Sequence, residues 1–97
     1  MGSVYILQLE HDCYYVGYTE DLQHRLKRHS AKHKKSEHGW LELHPFVSVI
    51  YTKDNVTKDY ERYATLKMMK KYGWQNVRGA GWTRAVLESP PKALDEV

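Results

Sequence analysis

Between Tyr14 and His29 the chain reads YYVGYTEDLQHRLKRH, a strand pattern that passes through one glycine into a basic amphipathic helix. Tyr14, Tyr15 and Val16 are aromatic and β-branched, as strand residues tend to be. Thr19 is placed to cap a helix, with Glu20 and Asp21 in a first turn where the helix dipole favours negative charge. From Leu22 the period changes: Leu22 and Leu26 share one stripe, Arg25 lies beside them, and His29 follows one turn on. A tyrosine-bearing strand therefore leads directly into a helix that places an arginine and a histidine on neighbouring turns. Those residue types suit a phosphodiester if they face a cleft.

Ninety-seven residues predict a single domain of modest core. Positive side chains exceed negative ones by only three, but their distribution is uneven. His24 to Lys35 contains Arg25, Lys27, Arg28, Lys32, Lys34, Lys35 and three histidines with no acid. A concentrated basic helix points to a polyanion more than a uniform excess does, although a solvated helix face has the same composition. One cysteine, Cys13, excludes an internal disulfide and fits a reducing, intracellular compartment. No apolar run approaches the ~20 residues that span a bilayer, and MGSVYIL lacks the charged and apolar regions of a signal peptide.

The remaining elements follow in order. Val4 to Leu9 is a strand, and Glu10-His11-Asp12 is its turn. A three-residue turn sets Leu9 against Cys13, Leu7 against Tyr15 and Tyr5 against Gly17, which makes Tyr5 and Tyr15 diagonal neighbours; a turn one residue longer would put Tyr14 there instead. The helix from Glu20 extends to about His33, and Lys34 to His44 reads as a polar loop anchored by Trp40. Phe46 to Thr52 alternates as a third strand, and a second helix, capped by Asn55 or Thr57, covers Lys58 to Tyr72 with Gly73 at its end. On that helix Glu61, Ala64, Thr65 and Met68 form a stripe, although a helix glutamate is more often solvated. Three glycines at 73, 79 and 81 predict a close-packed loop, and Pro90-Pro91 predicts a frayed tail. The expected fold class is α/β (α+β), a three-stranded antiparallel sheet flanked by helices in ββαβα order, with a domain over 1–88 and a tail over 89–97.

These residues resemble the GIY-YIG nuclease family. Val4-Tyr5-Ile6 and Tyr15-Val16-Gly17 look like the two halves of its name motif, with tyrosines ten apart, and Asp21-Leu22, Arg25-Leu26 and His29 are similar to its helix. Glu61 falls where the family carries a metal-binding glutamate, and Thr65, Met69, Tyr72-Gly73 and Asn76 to Gly79 resemble small stand-alone members. The likeness runs from Ser3 to Trp82. Ser3 and Val4 replace Gly and Ile, and Tyr18 stands where some relatives have a lysine, leaving Tyr18 or His29 as its substitute.

The resemblance implies DNA hydrolysis to 5′-phosphate and 3′-hydroxyl ends with Mg²⁺ or Mn²⁺ at Glu61, Arg25 clamping the phosphate, and Tyr5 or Tyr15 orienting or deprotonating the water. A lone carboxylate suits one hard divalent ion completed by waters and phosphate oxygens, and arginine supplies a permanent charge in a phosphate-matching fork. A tyrosine with an ordinary pKa near 10 is a weak base unless cations lower it. His29 is a further acid, base or phosphate donor. DNA contacts are expected from Gly17 and Tyr18, from Lys27, Arg28, Lys32 and Lys34 on the basic helix, and from Asn76 and Arg78. One site cuts one strand, so a double-strand break needs two events or a homodimer. Three other readings compete: a nucleic-acid-binding module without catalysis, a structural zinc site using Cys13 and the histidines, and an interaction surface built on Trp40, Trp74 and Trp82.

Overall fold

A computed structural model of the chain describes residues 1–30, 39–84 and 86–97, with residues 28–30 described by their backbone alone. β1 (Gly2–Leu9) and β2 (Cys13–Thr19) form an antiparallel hairpin. Its turn, Glu10–Asp12, takes positive φ at His11 (68°) and Asp12 (57°). The register follows the three-residue turn, pairing Leu9 with Cys13, Leu7 with Tyr15 and Tyr5 with Gly17.

The strand period of two then divides the side chains between the two faces of the sheet. Tyr5, Leu7, Leu9 and Cys13 are buried on one face with Trp40, where Tyr15, Leu22, Leu26 and Phe46 pack against them. Val4, Ile6 and Val16 are buried on the other with Ala64, Leu66, Met69 and Val77. Both faces being covered explains why the hairpin is apolar or aromatic at almost every position.

The sheet has four strands in the order β3-β1-β2-β4, in place of the expected three antiparallel ones. β3 (Phe46–Val56) pairs antiparallel with β1, and β4 (Val77–Gly79) pairs parallel with β2. A three-residue strand shows no alternation of its own. It owes its pairing to α3, which returns the chain alongside β2. β3 also runs past Thr52, bending at Asn55 with a φ of 60°.

α1 (Leu22–Ser30) starts two residues later than expected, and its cap is Asp21 rather than Thr19. Asp21 Oδ1 accepts the His24 amide at 3.2 Å, while the Thr19 hydroxyl takes the Asp21 amide at 3.0 Å. A carboxylate is the stronger acceptor for a helix N-terminus, so Thr19 serves the turn before it. α2 (Gly39–Leu43) is a short helix where a loop was expected. Trp40 anchors it as predicted, buried, with its indole N–H donating to the Tyr14 carbonyl at 3.0 Å.

α3 (Lys58–Tyr72) has the predicted bounds. Thr57 precedes it without a side-chain cap, and Gly73, at φ 98°, donates its amide to Met69. The C-terminal tail does not fray. Lys92–Glu96 forms a 3-10 turn that buries Ala93 against the α3 core with Leu94 and Val97.

Candidate active site

β4 stops at Gly79, opposite Val16. Beyond that point the chain turns back on itself, with Gly79 and Trp82 exchanging backbone hydrogen bonds at 2.9 Å in both directions. On this side of β2, Gly17, Tyr18 and Thr19 have no partner among the described strands, so the sheet edge opens at the motif glycine. Two contacts set what closes around the opening. A Cβ on Gly79 would lie 2.5 Å from the Val16 carbonyl and 2.7 Å from Thr65 Oγ1, so only glycine lets β4 approach both β2 and α3 this closely. Thr65 in turn donates its hydroxyl to the Glu61 carbonyl at 2.7 Å, one turn back on α3.

Glu61 is 7% exposed, not solvated as helix glutamates usually are. Burial pushes its carboxyl pKa up. Lys58, the Ala80 amide and Arg25 oppose that shift by stabilising the carboxylate. The Arg25 charge on α1 and an N–H of the turn after β4 thus both favour the charged form of this carboxylate on α3. Thr65 lies on the same stripe of α3 as Glu61, but Ala80 could not be singled out from the sequence, because its amide reaches Glu61 only through the turn that follows Gly79.

The tyrosines lie at the same end of the hairpin. Tyr5 is fully buried, and its ring lies directly over Gly17: a Cβ there would be 2.3 Å from both Tyr5 Cζ and its hydroxyl. Tyr15 is half-buried on the same face, its ring 6.2 Å from that of Tyr5 and tilted by 49°. Leu22 and Leu26 of α1 pack against this face, which carries Arg25 to it. The structure thus gathers Tyr5, Tyr15 and Gly17 into one cluster, and the Arg25 charge acts on Glu61 less strongly than Lys58 and the Ala80 amide do.

Other expected contacts lie elsewhere. Tyr18 projects to the opposite face, against Gly2. Lys27 is on nearly the opposite side of α1 from Arg25 and lines a surface cleft of about 670 Å³ with His24, Leu26, Phe46 and Val49. Lys32 and Lys34 lie outside the described residues, as do the side chains of Arg28 and His29.

Asn76 and Arg78 have structural partners. The Asn76 side-chain amide donates to the Tyr72 carbonyl at 2.9 Å, closing the end of α3. Arg78 is 2% exposed, so its position does not support the expected DNA contact. Its guanidinium donates to the carbonyls of Arg84 (2.7 Å), Val77 (2.9 Å), Trp74 (3.1 Å) and Gln75 (3.3 Å), and lies 4.1 Å from the Trp40 ring centroid. Arg78→Ala should cost roughly 2–4 kcal/mol of stability, because it strands several carbonyls and uncovers Trp40. Thermal melting checks this; an unchanged melting temperature would return Arg78 to the surface.

A histidine pair sits at the far end of the hairpin. His11 Nδ1 and His44 Nδ1 are 3.0 Å apart, and the His44 ring lies 4.3 Å from that of Trp40. Only one of the two facing nitrogens can carry the proton. Burial first, then His11 and Arg78, hold His44 below the ordinary histidine pKa. The unfolded chain therefore takes up a proton at His44 at a higher pH than the folded one does. Stability should fall as pH drops from about 7 through the folded pKa and then level off. Melting curves between about pH 7 and 5 should show this decline, and His44→Gln should reduce it.

Among the described residues no three His, Cys, Asp or Glu side chains cluster, so a metal at Glu61 would have at most two such protein ligands there. That donor set fits Mg²⁺ or Mn²⁺, which keep most of their coordination for water and phosphate oxygens. It does not fit zinc, which takes three or four protein ligands; Cys13 is buried, with its thiol directed at the His11 carbonyl.

Among the described residues no helix is long and apolar enough to cross a membrane. Comparison with curated proteins and with solved structures finds no match. Residues 1–72 match the GIY-YIG catalytic domain. With the two motif tyrosines on adjacent paired strands and the family's catalytic domain matched over residues 1–72, the chain belongs to the GIY-YIG nuclease family.

Proposed function

We propose that the protein is a metal-dependent DNA endonuclease that hydrolyses one phosphodiester per encounter, leaving a 5′-phosphate and a 3′-hydroxyl. The observation that supports this reading is Glu61, a helix carboxylate almost withdrawn from water beside the turn after β4 that donates an N–H to it. A buried carboxylate with one amide donor is costly to keep charged, and a divalent cation offsets that cost while giving the carboxylate a task.

Each residue then has a role matched to its chemistry. Glu61 would hold Mg²⁺ or Mn²⁺, which would supply Lewis-acid stabilisation of the leaving oxygen. Arg25 neutralises the scissile phosphate with a charge that persists at any working pH. Tyr5 is held rigidly by the close fit of its ring on Gly17, whereas Tyr15 is partly open to solvent. That difference supports Tyr15 as the tyrosine that meets the attacking water, with Tyr5 fixing its position. His29 is the candidate proton carrier on the same helix. Lys27, Arg28, Lys32 and Lys34 would attract the polyanion by charge, Lys27 from the flank of α1 away from Arg25, so binding should weaken steeply with salt.

Supercoiled plasmid provides the test. With Mg²⁺ or Mn²⁺ it should convert to open circles, EDTA should stop the conversion, and DNA ligase should reseal the product. Nicks that form in EDTA, or that ligase cannot seal, would contradict the proposed chemistry.

A further inference from the structure

The flank of α3 that faces β3 carries a second feature, separate from Glu61. A cleft of about 500 Å³ lies there, floored by Ile6, Ala64 and Met68 and walled by Tyr51, Tyr60, Tyr63 and three lysines, Lys67, Lys70 and Lys71. Among the described residues no carboxylate lines it. Tyr51 and Tyr63 are 39% and 48% exposed, which is unusual for aromatic side chains beside an apolar floor. The walls are also pre-set: the Tyr51 and Tyr60 hydroxyls are 3.1 Å apart, the Tyr60 and Tyr63 rings are 5.9 Å apart, and Lys53 Nζ lies 5.4 Å from the Tyr60 centroid.

We propose that this cleft binds an unpaired nucleic-acid strand, with bases stacked on Tyr51 and Tyr63 and phosphates held by Lys67 and Lys71. Flat aromatic faces over an apolar floor, bordered by ammonium groups, match the two halves of a nucleotide: a base with a π-face and a phosphate. Charge complementarity selects the polyanion, and Tyr60, whose pKa is pushed up to about 12 chiefly by its hydrogen bond to Tyr51, stays neutral and adds no repulsion. Lys70 is committed elsewhere, donating to the Val97 carbonyl. The inference rests on the nucleic-acid reading above and extends it to a substrate class. The cleft opens toward β3, whereas Glu61 faces the turn after β4, and the sheet order places β3 and β4 on opposite edges. An unpaired segment in the cleft and the segment at Glu61 therefore sit at different edges of the sheet. Both are present in DNA that is branched, flapped or locally melted.

The test is fluorescence anisotropy with a labelled oligothymidylate of about 20 nucleotides, in EDTA so that nothing is cut. The wild-type protein should bind it, Tyr63→Ala should weaken binding about tenfold, and Tyr63→Phe should restore it, because stacking requires the ring and not the hydroxyl. Lys67→Glu should weaken binding and flatten its salt dependence. Melting temperatures of all three variants verify folding, and Lys67→Glu alone carries the test if Tyr63→Ala does not fold. An absence of oligothymidylate binding by the wild type would overturn the proposal, as would binding indifferent to the folded variants. Metal-dependent plasmid nicking by the wild type scores the nuclease reading separately. Nicking with indifferent cleft variants removes the cleft alone, and cleft-dependent binding with no cutting of plasmid, branched, flapped or single-stranded DNA supports the cleft and removes the nuclease.

Discussion

Glu61→Gln should abolish cleavage while leaving the protein folded, able to bind DNA and no less stable to heat. The amide keeps the shape of the side chain and its contact with the Ala80 N–H, but it is a poor ligand for a hard divalent ion. Loss of one preorganised electrostatic group of this kind lowers turnover by about 10²–10³-fold. Stability moves the other way or not at all. Burial penalises the Glu61 charge, and only partly compensating interactions oppose that penalty, so the neutral side chain removes a cost that the wild type carries. A melting temperature equal to or above that of the wild type, with turnover lost, is the signature of a functional group kept at the expense of stability. A large drop in melting temperature would instead mark Glu61 as structural.

Gly17→Ala should damage both fold and activity. The added methyl group would lie 2.3 Å from Tyr5 Cζ and its hydroxyl, far inside van der Waals contact. Tyr5 cannot yield, because it is fully buried among Leu7, Leu9, Cys13 and Trp40. Overpacking of this kind costs about 1–3 kcal/mol, which for a domain of this length lowers the melting temperature by roughly 4–8 °C per kcal/mol. Any tilt of the Tyr5 ring also shifts Tyr15 beside it, so cleavage should fall by more than the loss of folded protein accounts for. The discriminating measurement is specific activity per folded molecule, taken below the transition. Wild-type activity there would mean that the tyrosine pair is packing and nothing else.

Some of this was legible in the residues. The hairpin register follows from a turn length and a period of two, both local. α3 was legible because fifteen residues of periodic pattern end at a glycine. Trp40 was legible as an anchor because a tryptophan in a polar stretch has little else to do. The fourth strand was not, since Val77–Gly79 has no pattern of its own and pairs only because α3 delivers it to β2.

The site divides in the same way. The positions of Tyr5, Tyr15, Arg25 and Glu61 could be picked out by motif, but the burial of Glu61 could not. It depends on Gly79 letting β4 and α3 meet, and three glycines in a loop signal close packing without saying against what. Arg78 is the converse case. An arginine in a glycine-rich loop looks like a phosphate contact, yet four backbone carbonyls and the face of Trp40 accept it inside the protein. Lys27 and Arg25, two residues apart, diverge to opposite flanks of α1, so a basic run in sequence is not one basic surface in space.

Single-turnover cleavage tests the central claim most directly. Wild-type protein, Glu61→Gln and Arg25→Ala would each be held in excess over one labelled DNA in Mg²⁺, with binding and folding verified for all three. The account predicts that all three fold, that the wild type and Glu61→Gln bind, and that only the wild type cuts. Cutting at the wild-type rate by either variant would contradict it.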